Sequence, residues 1–225
     1  MVRSPRKPVV LDDRCTDCLA CLEVCPVDAI VPHPIETESY RRMAERVDFS
    51  AWSGGARDVV ARMVHATADE SFAVSARVGA GAVEAAVAAL RAGATVVCDA
   101  AMVVAGVPSV PTAVCLLDQV PVAPDGDTRA AAAIRLAAAR WPAGALWVIG
   151  NAPTALLALL SSDVRPAAVV GLPVGYVGAA EAKAALWASP WREVAITNVG
   201  ERGGSPVAAA AVNALARLAA GGRAP

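Results

Sequence analysis

Charge is scarce in this chain, and neither sign dominates. Aspartate and glutamate total 21 against 20 lysines and arginines, and charged residues are 18% of 225, below the roughly one quarter of an average soluble domain. A net charge of −1 supplies no basic field for nucleic acid, despite a small cluster at Arg3, Arg6 and Lys7, so nucleic acid is not an expected partner. Unbroken apolar runs of bilayer length are missing as well. Gly106, Pro108 and Pro111 interrupt residues 100–117, while Pro142, Gly144 and the Asn151-Ala152-Pro153 turn divide residues 141–162. Buried strand and short helix account for both stretches, and no membrane span is expected. The N-terminus lacks the long apolar segment and small-residue cleavage site of a secretory signal, so a cytoplasmic location is expected, where cysteines more often hold metal than pair as disulfides. Nucleotide fingerprints are absent: no G-x-G-x-x-G follows the first strand of the alternating region, and no G-x-x-x-x-G-K-[ST] occurs anywhere.

Apolar residues, at 56%, are plentiful. They imply large buried surfaces, some of them between subunits. The length suits one sizeable α/β domain with a short appendage rather than two full domains.

The appendage is where cysteine concentrates. Four of six cysteines lie in CTDCLACLEVCP, where Cys15, Cys18, Cys21 and Cys25, followed by Pro26, match C-x2-C-x2-C-x3-C-P. This is the spacing with which one loop wraps a 4Fe-4S cubane and aims three thiolates at three irons; zinc sites usually separate two cysteine pairs by a longer segment. The flanking VVLDDRC and CPVDAI resemble one half of a bacterial ferredoxin. In two-cluster ferredoxins the fourth cysteine of each run ligates the other cluster, and no second run is present. Three sources of a fourth ligand stay open: Cys25 folding back, Cys98 or Cys115, or exchange of Cys25 between two chains across a two-fold axis. The symmetry of homo-oligomers favours the exchange. Cys98 and Cys115 sit in apolar strand-like runs and read as buried cysteines.

Pro32-His33-Pro34 marks the joint between an iron-sulfur segment, 1–34, and a main domain, 35–225. Two helices are expected, Glu36 to Val47 and Ala56 to Ala68, the second with Val60, Met63, Val64 and Thr67 at helical spacing. Short apolar runs then alternate with alanine-rich helical stretches: ATVVC, AVCLL, ALWVIG, AAVVG and EVAITN, beginning at Ala94, Ala113, Ala145, Ala167 and Glu193. That alternation predicts an α/β fold, a parallel sheet with helices on both faces. Ligands of such sheets bind beyond the carboxyl ends of the strands. There Asn151 is expected to cap a helix, Gly175 and Gly178 to relieve crowding, and Gly203, Gly204 and Ser205 to aim amides and a hydroxyl at a ligand. Oriented amides at helix N-termini favour anions, so a phosphate-bearing or polycarboxylate ligand is expected.

In combination, GNAPTALLALL, GLPVGYVGAAEAK and ITNVGERGGSPVAAAAVNAL resemble the precorrin-8X methylmutase family. HPIETESY, VVARMVHATAD, AGATVVCDAAMVVAGV and DTRAAAAIRL lie upstream in the family's order, so the likeness spans about residues 33 to 219. The resemblance implies a homodimer that acts on a corrinoid in cobalamin biosynthesis. The reaction is a [1,5]-shift of a methyl group from C11 to C12, which converts precorrin-8 or its cobalt form into hydrogenobyrinate or cobyrinate. It assigns catalysis to His65, the histidine of R-M-[IV]-H-A, as a group able to lend a proton to the macrocycle and recover it. It gives Arg129, in D-T-R-A, and Ser39, in E-S-Y, contacts with the substrate. Asp99 and Glu181 read equally as orienting groups or as caps and surface pairs, and His33 as linker. The segment after AGV reads PSVPTAV and lacks the threonine-arginine of some relatives, which leaves contacts there, through Ser109, open. Neighbouring pathway enzymes are implied as partners for product transfer. The rival reading is an iron-sulfur electron-transfer protein whose corrinoid domain docks or reduces an intermediate.

Overall fold

The computed structural model describes residues 34–222. Cys15, Cys18, Cys21, Cys25 and His33 lie outside the described residues. The chain begins with α1 (Pro34–Arg46) and α2 (Gly54–Thr67), close to the helices expected from the sequence. Glu36 in the first turn and Arg46 in the last suit the dipole of α1. Helix α2 turns Val59, Val60, Met63 and Val64 inward at three- and four-residue spacing, and it stops where Ala68 turns left-handed at φ 52°.

There follow α3 (Phe72–Ser75), β1 (Ala76–Val78), α4 (Ala82–Arg91), β2 (Val96–Cys98), α5 (Ala101–Ala105) and β3 (Ala113–Cys115). After a short 3-10 turn come α6 (Arg129–Arg140), β4 (Leu146–Ile149), α7 (Pro153–Leu160), β5 (Ala168–Gly171), α8 (Ala179–Ala188), β6 (Ala195–Asn198) and α9 (Ser205–Ala219). All five apolar runs form strands. The sheet has six strands in the order β1-β6-β5-β4-β2-β3. It is parallel except for β1, which pairs antiparallel with β6, Arg77 opposite Thr197. The expected parallel sheet is present, and β1 extends it at one edge as an antiparallel strand. Only three residues long and centred on an arginine, β1 leaves no apolar run to announce it.

Strand side chains alternate strictly between two cores. Leu146 and Val148 of β4 face the core under α2, α4 and α9, whereas Trp147 and Ile149 face that under α6, α7 and α8. Val96 and Val97 of β2, and Val170 and Val169 of β5, divide the same way. Both faces are thus covered, and polar side chains near the sheet collect where strands end: Asp99, Thr197, Asn198 and Ser205 are all buried there. Strand order reverses between β2 and β4, the switch point at which open α/β sheets leave a crevice.

Candidate active site

Among the described residues His65 is the only histidine, and it lies in the last turn of α2. Tyr40 of α1 lies against it, ring centroids 4.5 Å apart and planes inclined by 11°. Such stacks contribute about 1 kcal/mol and fix the ring plane. Helical spacing brings the neighbours in: Glu36 and Tyr40 share one face of α1, as Arg62 and His65 share one of α2. Arg62 donates to Glu36 at 2.9 Å, and the buried Arg217 of α9 approaches the same carboxylate at 3.5 Å. Two guanidinium groups therefore share one carboxylate beside the imidazole. The Tyr40 hydroxyl is buried without a well-formed hydrogen bond, although Arg62 lies close enough to pull on its ionisation; burial dominates and pushes the phenol up. His65 is held below the ordinary imidazole value, first by burial and then by the charge on Arg62, with Glu36 opposing and Arg217 adding.

The glycine loops occupy the carboxyl edge of the sheet. Gly175 donates to the Glu201 carbonyl at 3.2 Å and Gly204 to the Leu172 carbonyl at 2.8 Å, which joins the β5–α8 and β6–α9 loops. A Cβ on Gly203 would stand 2.3 Å from the Leu172 oxygen, so this contact admits only glycine. Arg202 carries the tie to the His65 helix: its guanidinium pairs with Asp69 and bonds Ser71 Oγ at 3.0 Å, just past the end of α2. Burial pushes Asp69 up, but Ser71 and Arg202 outweigh it and hold the carboxyl low.

At the switch point Asp99 accepts three backbone N–H groups, from Gly150 at 2.8 Å, Asn151 at 2.9 Å and Ala152 at 2.7 Å. Burial pushes this carboxyl up more than the three donors pull it down. The β4–α7 loop thus spends its amides on Asp99, not on a ligand.

Several expectations change. Asn151 does not cap α7; Ala152 holds that position without a side-chain bond. Gly175 and Gly178 are needed for backbone conformation, φ 143° and 81°, since the space beside Gly175 is open. The amide of Gly204 is already used within the fold, Gly203 beside it is half-buried, and Ser205, in the first turn of α9, is buried. Arg129 is exposed at the start of α6 and donates to the carbonyls of Val120, at 2.6 Å, and Leu117, at 3.1 Å. Its helix packs on the opposite face of the sheet from α2. Ser39 is half-buried on α1 beside Tyr40. Asp99 is an orienting group for backbone, while Glu181 stands exposed in the first turn of α8. Cys98 and Cys115 lie opposite each other in register, and burial pushes both thiols up, away from the thiolate that iron requires. Glu36, Tyr40, Arg62 and Arg217 were missed; the four-residue spacing of Glu36 and Tyr40 and the three-residue spacing of Arg62 and His65 were the available signals, and Arg217 offered none.

The model of the precorrin-8X methylmutase family matches residues 34–218, and that of a 4Fe-4S binding domain matches residues 8–31. A precorrin-8X methylmutase of Sinorhizobium sp. is 39% identical over 196 residues, covering 81% of this chain and 93% of the relative. A cobalt-precorrin-8 methylmutase of Salmonella typhimurium is 36% identical, covering 82% and 94%. The solved precorrin-8X methylmutase of Thermus thermophilus superposes with a TM-score of 0.73 at 38% identity, over 83% of this chain and 96% of that one.

Proposed function

The chain belongs to the precorrin-8X methylmutase family, and we propose that His65 carries its reaction. The enzyme is an isomerase of cobalamin biosynthesis that moves a methyl group from C11 to C12 of precorrin-8, or its cobalt form. No atom leaves and no electron is transferred. The imidazolium of His65 protonates the conjugated ring, the methyl group migrates toward the electron-poor carbon, and neutral His65 takes a proton back as conjugation is restored. The observation that carries this reading is the Tyr40–His65 stack, which sets the ring plane of the imidazole beside two arginines. Those guanidinium groups, with Gly203 and Ser205 at the loop edge, suit a ligand bearing several carboxylate arms. Ser39 adds a hydroxyl on the face of α1 next to Tyr40, and Arg129 would reach an arm on exchanging its carbonyl partners.

The sign of the pH dependence follows. In the free enzyme burial and Arg62 hold His65 below the ordinary imidazole value, so kcat/KM should decline as pH rises through a midpoint below that value. The negative arms of bound substrate favour the imidazolium, so the midpoint for kcat should lie higher. A midpoint for kcat/KM above about 7.5, where an unperturbed imidazole is already neutral, would contradict the assignment. The same depression means that His65 contributes its full stability above the unfolded value, and that this contribution is lost as pH falls toward the folded one.

Residues 1–34 form an iron-sulfur segment in this reading. The donor set Cys15, Cys18, Cys21 and Cys25 fits a 4Fe-4S cluster. Such a cluster supplies one-electron chemistry, which the methyl shift does not use. Replacing both Cys15 and Cys18 by alanine should remove the iron while kcat stays within about twofold, because His65 acts without it. A loss of turnover with the iron in folded protein would favour the electron-transfer alternative. The fourth ligand comes from exchange of Cys25 in a homodimer, for which about four irons per chain in an obligate dimer is the expected count. The corrinoid product passes to neighbouring pathway enzymes, and the setting is cytoplasmic. No described helix is long and apolar enough to cross a membrane.

A further inference from the structure

The chain has two lysines, Lys7 and Lys183, and otherwise uses arginine for positive charge. Lys183, in the middle of α8, is 1% exposed. Among the described residues its ammonium meets no carboxylate. Nζ donates to Asn198 Oδ1 at 3.0 Å and to the Arg202 carbonyl at 2.5 Å. Asn198, the last residue of β6, donates from Nδ2 to the same Arg202 carbonyl at 3.0 Å and to the Val199 carbonyl at 3.2 Å. The amine is pushed down to about 8 by burial, with the charge of Glu201 opposing. An apolar side chain would fill this space without that desolvation penalty. What it could not supply is a compact cation with several donors, turned on the inner side of the loop 199–204. The outer side of the loop bonds Gly175 through Glu201, and Asp69 through Arg202.

We propose that Lys183 is a positioning residue for substrate. With Asn198 it holds the 199–204 loop in the shape that offers Gly203 and the first turn of α9 to a carboxylate arm, and it touches no substrate itself. This rests on the reading of that loop as an arm-holding element. Its signature is a split between binding and chemistry, because His65 lies on another helix.

Lys183→Met keeps the length of the side chain and removes the donors. Asn198→Asp keeps an acceptor for Lys183 but replaces the Nδ2 donor to the loop, so it tests the same tie in a protein whose lysine remains paired. KM, and the dissociation constant of the cobyrinate or hydrogenobyrinate product titrated by absorption, should rise about tenfold in both variants. Over the same comparison kcat should stay within about threefold. Unchanged KM and product affinity in the folded variants would overturn the proposal, as would a fall in kcat at constant KM. Should Lys183→Met fail to fold, Asn198→Asp decides alone. Turnover of His65→Ala, measured alongside, keeps the two readings apart: persistent turnover there sinks the catalytic assignment and leaves the Lys183 comparison standing.

Discussion

Substitution of His65 by alanine is expected to lower kcat by about 10²–10⁴-fold, the range that a positioned general acid–base contributes. Absorption spectroscopy reads this directly, since methyl migration changes the conjugated path of the ring. Product affinity should change by no more than a few fold, because the proposed reading gives the carboxylate arms to other groups. The variant should fold, for His65 is half-buried and its loss removes one stack, about 1 kcal/mol. Wild-type turnover in His65→Ala would transfer the reaction to another group, and no second imidazole exists among the described residues.

The largest effect on stability is expected at Asp99. Asp99→Ala leaves the N–H groups of Gly150, Asn151 and Ala152 without an acceptor between β2 and β4. An unsatisfied buried group costs about 1–3 kcal/mol; with three of them partly rescued by water, the loss should be about 3–5 kcal/mol. For a domain of this size that lowers Tm by about 10 °C. Asp99→Asn should be little better, since a side-chain amide donor would then face backbone donors. A Tm within about 2 °C of wild type in either variant would show that the loop between β4 and α7 has another anchor.

The five strands of the parallel sheet were legible because a strand buried on both faces reads as a short apolar run between helical stretches, as ALWVIG does. Strand β1 was not, since an edge strand of three residues around Arg77 has no such signature. Loop glycines were legible as to place but not as to reason: Gly203 is fixed by close approach to Leu172, whereas Gly175 is fixed by its backbone angle. His65 stood out through the motif around it. The groups that tune it did not, because Glu36 and Tyr40 sit on the preceding helix and Arg217 on one far away in sequence, and nothing local says that α1 and α9 flank α2. Lys183 escaped for a related reason, and Asp99, read equally as an orienting group or a cap, was picked out without its partners. Each serves backbone atoms of a distant loop, and such atoms carry no residue type to read.

The most direct measurement is a crystal structure of the enzyme with its product bound. The account predicts the ring edge bearing C11 and C12 within about 4 Å of the His65 imidazole, close enough for proton transfer, with carboxylate arms at Gly203 and Ser205. A ring seated instead in the cleft of about 580 Å³ lined by Arg77, Lys183 and Trp187, with His65 turned to solvent, would contradict it.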